Sequence, residues 1–310
     1  MINRVLIRIK VMQIIYAYYQ KGSKDLKMAE NELLLSLRRS YDLYHYLLLL
    51  IVEVTRMYER VIDAKRNKYR PTDEDMNPDL RLLNNRLTNQ IAKNEALNMY
   101  AKQHSIYWTD DKNFIKKVLD IILESCIYAD YLRNETDNYE VDKEFWRLIF
   151  KRIISDNEFI EDYLEEKCVY WNDDVEIIES FVLKTIKRFS QSAGEKQQLI
   201  PMFHNNDDYE FVIQLFRQTL LHGDEYRELI DRHTKNWESE RVANMDLVIM
   251  QVAVAEIMNF PTIPINVTLN EYIDAARYYS TPKSSAFING VLDSIVEELK
   301  KENRFLKTIE

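Results

Sequence analysis

Glycine is the residue this chain almost does without: four in 310 positions, Gly22, Gly194, Gly223 and Gly290, with no two close together. A phosphate-cradling loop or a dinucleotide-binding turn needs several glycines within a few residues, so neither can be written here. Nucleotide-dependent chemistry of those kinds is excluded. Six prolines add little further punctuation. Between these breaks run Leu, Ile, Glu, Lys and Arg at three-and-four spacing, the pattern of helix after helix. The expected fold class is all-α, arranged as two packed helical subdomains.

With 46% apolar and 30% charged residues and a formal charge of −9, the chain has the composition of an ordinary soluble globular protein. Cys126 and Cys168 form no C-x-x-C pair and sit in apolar, helix-like stretches, where a buried thiol in a reducing, cytoplasmic setting is expected. Arg4, Arg8 and Lys10 precede an apolar run at 11–19, but Gln13, three tyrosines and the absence of a small-residue cleavage site argue against a signal peptide. The longest apolar stretches, such as 46–52, fall far short of the roughly 20 residues of a membrane span.

Leu33, Leu37, Tyr41, Tyr44, Leu48, Ile51 and Val52 trace one apolar stripe, which predicts a long helix over 26–64 before a basic loop at 65–78. Helices are expected at 80–103 and 112–133, the second capped by Thr109-Asp110-Asp111. Others follow at 142–155, 157–168, 172–190, 208–222, 224–236, 242–259, 268–279 and 282–302, with 191–208 as a linker. The expected division is 1–140 and 141–310. A loose echo aligns Phe145, Ile149, Phe150 and Trp171 with Phe211, Leu215, Phe216 and Trp237, without a third copy that would make a repeat array.

Charge is segregated. Residues 1–24 hold Arg4, Arg8, Lys10, Lys21 and Lys24 and no acid, in a chain that is acidic overall. The first helix is apolar nearly all round, so it should be buried with only its N-terminal end wet. Arg4 and Arg8 there oppose the helix macrodipole, a conflict that an external phosphate would relieve. Equally open is the reading that both arginines pair with some of the chain's 51 acids.

Catalytic and metal constellations are missing from the pattern. The five histidines are scattered, no H-E-x-x-H or C-x-x-C exists, and no serine lies in G-x-S-x-G. The pairs Asp110-Asp111, Asp173-Asp174 and Asp207-Asp208 fall at helix starts and read as caps. The chain is therefore expected to be neither an enzyme nor a cofactor or metal protein.

The informative segment is 237–300. Trp237, Arg241 and Asp246 lead into the apolar helix 249–257, which stops before Pro261 and Pro264. Thr268-Leu269-Asn270-Glu271 reads as a capping box, and Thr281 with Pro282 as the start of a last helix. In that helix Ile288, Val291, Leu292, Ile295 and Leu299 form the core stripe; Gly290 lies off it, so some close approach should compensate its helix cost of about 0.8–1.0 kcal/mol. Phe287 is expected to be exposed beside Lys283.

These residues carry a resemblance. Pro264, Asn270-Glu271, Ala276-Arg277-Tyr278 and Phe287-Ile288-Asn289-Gly290-Val291-Leu292-Asp293, preceded by Asp246 and the helix 253–256, resemble the C-terminal half of the NusB-type transcription antitermination factors. At the other end, Arg4, Arg8 and Gln13-Ile14-Ile15-Tyr16 are similar to that family's basic stretch and Gln-x-Leu-Tyr pattern. The resemblance covers about 1–20 and 208–300, leaving 21–207 as extra or strongly diverged chain, so this is an enlarged version with a helical extension. It departs from the family in a thinner basic stretch and in lacking the usual Leu-Arg near Ile249-Met250-Gln251.

The resemblance implies a NusB-like helical bundle whose core spans 208–300. Its implied role is RNA-binding in transcription antitermination on ribosomal RNA operons: the protein binds single-stranded boxA-type RNA with NusE, the small ribosomal subunit protein, and acts indirectly on the RNA polymerase elongation complex. No membrane is implied. On that reading Arg4, Arg8 and Lys10 meet phosphates, giving a log-log salt slope of about −2. Phe287 and Tyr16 stack on bases, although core packing is the stronger reading for Tyr16. Lys283, Ser284 and Asn289 add polar contacts at the start of the last helix. Two alternatives stay open: a protein-binding helical scaffold without RNA contact, and a regulatory module like that of ribosomal RNA cytosine methyltransferases, against which the lack of a cofactor loop counts.

Overall fold

The computed structural model describes residues 1–22, 25–155, 157–234 and 243–302. Lys24, Trp237 and Arg241, singled out above, lie outside them. The described residues form helices and turns without a strand. They divide into two compact units, one of Arg38–Pro201 with Met1, the other of Ile2–Leu37 with the described part of Met202–Glu310. This differs from the expected division at 140, because the first helix belongs with the C-terminal ones.

In the first unit, helix α2 (Leu26–Arg66) contributes its part from Arg38 onward. Then come the short α3 (Asp73–Met76), α4 (Arg86–Ala92), α5 (Glu95–His104), α6 (Lys112–Leu123), α7 (Cys126–Arg133), α8 (Tyr139–Ile149), α9 (Glu158–Lys167) and α10 (Val175–Arg188). Two expected long helices are each split. Asn94 ends the run begun at α4 and caps α5, its side chain accepting from the Leu97 amide at 2.9 Å. Ser125 does the same for α7, accepting from Tyr128 at 3.1 Å. Short polar side chains compete for backbone amides and restart a helix without disturbing the apolar periodicity on either side. The core of this unit gathers Tyr44, Leu47, Leu82, Leu87, Val118, Trp146, Phe150, Ile178 and Val182.

Some polar expectations here are corrected. Asp111 and Asp174 stand at the cap positions of α6 and α10 but make no capping bond. Asp111 instead accepts from the Tyr46 hydroxyl at 3.0 Å and pairs with Lys167, while Asp174 accepts from the Ser40 hydroxyl. Cys126 is exposed and Cys168 half-buried rather than enclosed, because Cys126 is the first residue of α7 and lies outside its buried stripe.

The second unit is built on α13 (Asn244–Asn259), buried nearly all round from Val248 to Ile257. Against it pack α1 (Arg4–Gln20), α11 (Asn206–Leu221), α12 (Gly223–Thr234), α14 (Ile265–Tyr279) and α15 (Ser284–Lys301). Arg217 of α11 reaches Glu30 in the first turns of α2 by two bonds, at 2.6 and 2.8 Å. Asn205, not Asp207 or Asp208, caps α11 by accepting from the Asp208 amide; the two aspartates occupy the first turn, where they favour the macrodipole. A Cβ at Gly223 would come 3.0 Å from the Tyr19 hydroxyl, so the end of that side chain would have to give by a few tenths of an ångström to admit one. A Cβ at Gly290 would meet nothing within 4 Å, so the close approach expected there is not made among the described residues.

Candidate functional site

Helix α1 starts at Asn3, whose side chain accepts from the Leu6 amide at 2.9 Å. One turn further in, Arg8 is only 4% exposed, and its position corrects the expectation that it meets phosphate. Its Nε donates to Glu256 Oε2 at 2.8 Å and its Nη2 to Oε1 at 2.9 Å, a bidentate pair, with Glu271 at 3.4 Å from Nη1. Glu256, wholly buried on α13, also accepts from the Thr268 hydroxyl at 2.8 Å and the Tyr272 hydroxyl at 2.9 Å. Its four acceptor sites are thereby filled. Burial opposes the Arg8 charge, but the hydrogen bonds and field of Glu256 outweigh it and hold the guanidinium more firmly protonated than usual. Burial, with the Glu256 charge beside it, drives the Tyr272 phenol far above the tyrosine range.

This network replaces the expected capping box. Thr268 lies inside α14, which begins at Ile265, and its hydroxyl binds Glu256 while Glu271 turns to Arg8. The signal that reveals the pair is Glu256 itself, an acid inside an otherwise apolar helix that is tolerable only with a cation beside it.

Lys10 is 2% exposed and also leaves the basic tip. Arg4 remains outward: its side chain is 41% exposed, 3.6 Å from Asp208, with the guanidinium carbon 5.0 Å from the Phe211 ring centre. Tyr16 is half-buried. The cations of α1 therefore form no continuous exposed patch.

At the other end of the unit, α15 begins at Ser284 with Lys283 at its cap, two residues later than expected. Ser284 is buried and its hydroxyl donates to Asp246 at 2.9 Å, while Ser280 donates to the other oxygen of the same carboxylate. Asp246 thus anchors the turn between α14 and α15, and Ser284 is structural rather than an outward contact. Lys283 is exposed; Phe287 is half-buried rather than exposed; Asn289 is half-buried and donates to Asp293 at 3.1 Å. Lys283, Phe287 and Gly290 stand at i, i+4 and i+7 and share one helix face.

The structure also joins residues that were scattered in sequence. The His233 ring contacts Ser294 Oγ at 2.7 Å through Nδ1 and Glu298 at 2.6 Å through Nε2. A serine, an imidazole and a carboxylate in a row suggest acyl transfer, but Ser294 is inside α15, where backbone amides are spent on the helix and none is left for an oxyanion. The trio clasps α12 to α15. Among the described residues no group of three or more His, Cys, Asp or Glu is placed to hold a metal, and no helix is long and apolar enough to cross a membrane.

Residues 172–297, which take in α10 to α15, match the profile of the NusB family. The Salinibacter ruber transcription antitermination protein NusB is 35% identical over 133 residues, 41% of this chain and 83% of that protein. The Koribacter versatilis protein of the same name is 43% identical over 94 residues, 30% of this chain and 64% of that one. Bacillus subtilis NusB is 36% identical over 91 residues, covering 29% and 70%.

Proposed function

Because the chain belongs to the NusB family, at 35% identity across 83% of the Salinibacter ruber protein, we propose that it acts in transcription antitermination by binding single-stranded boxA-type RNA together with NusE. The observation that carries this reading is the outward face of α15. Lys283 offers a phosphate contact, Phe287 a ring, and Gly290 a stretch of exposed backbone where an added Cβ would meet no described residue within 4 Å. A glycine in a helix interior that no described residue approaches is a place for a partner molecule to approach. Arg4 adds a second accessible cation, and Asn289 a polar edge one residue from Gly290. Arg8 and Ser284 act here by holding α1 and α15 in place.

The test is fluorescence anisotropy of a labelled boxA-like RNA with the protein alone and with NusE, at several salt concentrations. With Arg4 and Lys283 as the phosphate contacts, the log-log salt slope is about −1.4, and Lys283→Ala reduces it by about 0.7. Phe287→Ala weakens binding by about 1–3 kcal/mol, the loss of one stacked base. NusE binding with no RNA binding at any salt would overturn the reading in favour of a protein-binding scaffold.

A further inference from the structure

Within the unit of Arg38–Pro201, three rings stack as a column. His45 and Tyr100 lie 3.8 Å apart at 16°, and Tyr100 and His104 4.1 Å apart at 19°. The column ends at His104, the last residue of α5. Ser105 then takes a left-handed conformation, with φ of 54° and ψ of 46°, and closes the helix. The chain leads through Tyr107, which is 51% exposed, into Trp108, stacked on Tyr46 at 3.6 Å. His104, Tyr107, Tyr46 and Trp171, with Arg39 and Lys167, line a cavity of about 450 Å³. That is the size of a small-molecule site.

Both cations of this cavity already have carboxylate partners, Arg39 with Asp42 at 3.1 Å and Lys167 with Asp111. The lining therefore has no uncompensated charge with which to select an anion or a cation. It offers the rings of His104 and Tyr107 and polar groups from Arg39 and Ser105, while Asp42 is held by the Tyr100 hydroxyl and Arg39. An uncharged planar heteroaromatic ring with donors and acceptors on its rim matches both features. We propose that this cavity binds a nucleobase, stacked on His104 with its edge toward Arg39 and Ser105. Recognition is by the base, which agrees with a chain that has no glycine loop for phosphates. The base belongs either to a free nucleoside or to an unstacked residue of single-stranded RNA, and the chemistry is shared. The proposal is independent of boxA recognition, since it concerns other residues and is read without NusE.

The full chain is titrated calorimetrically with adenosine, uridine and their 5′-monophosphates, with saturation-transfer NMR to find which ligand protons touch protein. A short labelled single-stranded oligonucleotide is titrated in parallel. Saturation is expected on base protons more than ribose protons, with no gain from the phosphate. His104→Ala and Tyr107→Ala each weaken binding about tenfold, as expected for a lost stacking partner, with the helical circular dichroism unchanged. If the oligonucleotide binds more tightly than the nucleosides and shows the same sensitivity to both variants, the source is RNA; nucleoside binding without oligonucleotide binding identifies a small molecule. The proposal is overturned if neither nucleoside nor oligonucleotide binds, or if binding survives both variants. It is equally overturned if the monophosphates bind more than about tenfold tighter, which marks an anion site, or if Nα-acetylarginine amide binds in place of nucleosides, which marks a protein-docking site.

Discussion

Glu256 and Arg8 are each costly to remove alone, because Glu256 without Arg8 is a buried charge with no cation, and Arg8 without Glu256 keeps only the half-buried Glu271 at 3.4 Å. Glu256→Ala is expected to lower stability by about 3–5 kcal/mol in urea denaturation, whereas replacing both residues with Met costs less, the remaining loss coming from the Thr268 and Tyr272 hydroxyls left without an acceptor. A loss below about 1 kcal/mol in the single variant would show that Arg8 reaches water and is not enclosed by this pair. A second residue-scale effect concerns His45, which burial drives down from 6.5 to about 4, the Tyr41 carbonyl opposing only in part. The unfolded chain binds a proton on this ring at higher pH than the folded one does. Stability from the neutral ring is therefore fully present above pH 6.5 and is lost as pH falls toward 4, by about 3 kcal/mol in total. Comparing wild type with His45→Phe across pH 4–7 isolates that contribution; parallel profiles would exclude it. The site was least legible at this scale. Basic residues at an apolar helix start look like surface charges, and Arg8's partner lies 248 positions away. The odd acid in α13 was visible, but not what it faces.

Helices are where sequence periodicity speaks most directly, and the long α2 and the helices from α9 onward fall within a few residues of expectation. Where expectation and structure part, a capping side chain decides. Asn94 accepts from Leu97 and also donates to the Glu195 and Gln197 carbonyls at 3.2 and 2.8 Å, so one amide both starts α5 and ties it to a distant segment. Those carbonyls cannot be guessed from local pattern. Asn94→Ala should cost about 1 kcal/mol for the cap and more for the stranded carbonyls. Asn94→Asp, which keeps the cap and loses the donors, should fall between; equal stability of all three in thermal melts would contradict this. Helix α15 gives the opposite case. Gly290→Ala adds a methyl into open space and should stabilise by about 0.8–1.0 kcal/mol, yet weaken RNA binding if the bare backbone is a contact. A variant that is both more stable and unimpaired in RNA binding would assign Gly290 no role. Phe287 precedes the core stripe by one position, which favours exposure, but at about 100° per residue a neighbouring position is only partly turned away, and the ring is half-buried.

On the scale of the whole molecule, the all-α class followed from glycine scarcity, but the division of the chain did not, because the second unit is discontinuous: 2–37 packs with the chain after 201. Linkers and composition shifts mark boundaries along a sequence, and nothing in them shows that a first helix skips more than 160 residues to find its core. That topology has a measurable consequence. The segment 202–310 alone lacks α1, so Glu256 would be buried without Arg8, Arg217 would lose Glu30, and the face of α13 that α1 covers would be open. Losing the cation from a buried pair costs about 3–5 kcal/mol, and uncovering apolar side chains adds about 25 cal/mol for each Å² exposed; together these approach the whole stability of a small domain. The isolated 202–310 segment should therefore show little cooperative unfolding. Adding a 1–37 peptide in trans should restore helicity and a sharp transition, with a concentration-dependent midpoint, as binding linkage requires. Restoration should fail with the same peptide carrying Arg8→Ala. A cooperative melt of 202–310 by itself would mean that α1 is an accessory to this core rather than part of it, and that Glu256 is held without the Arg8 guanidinium.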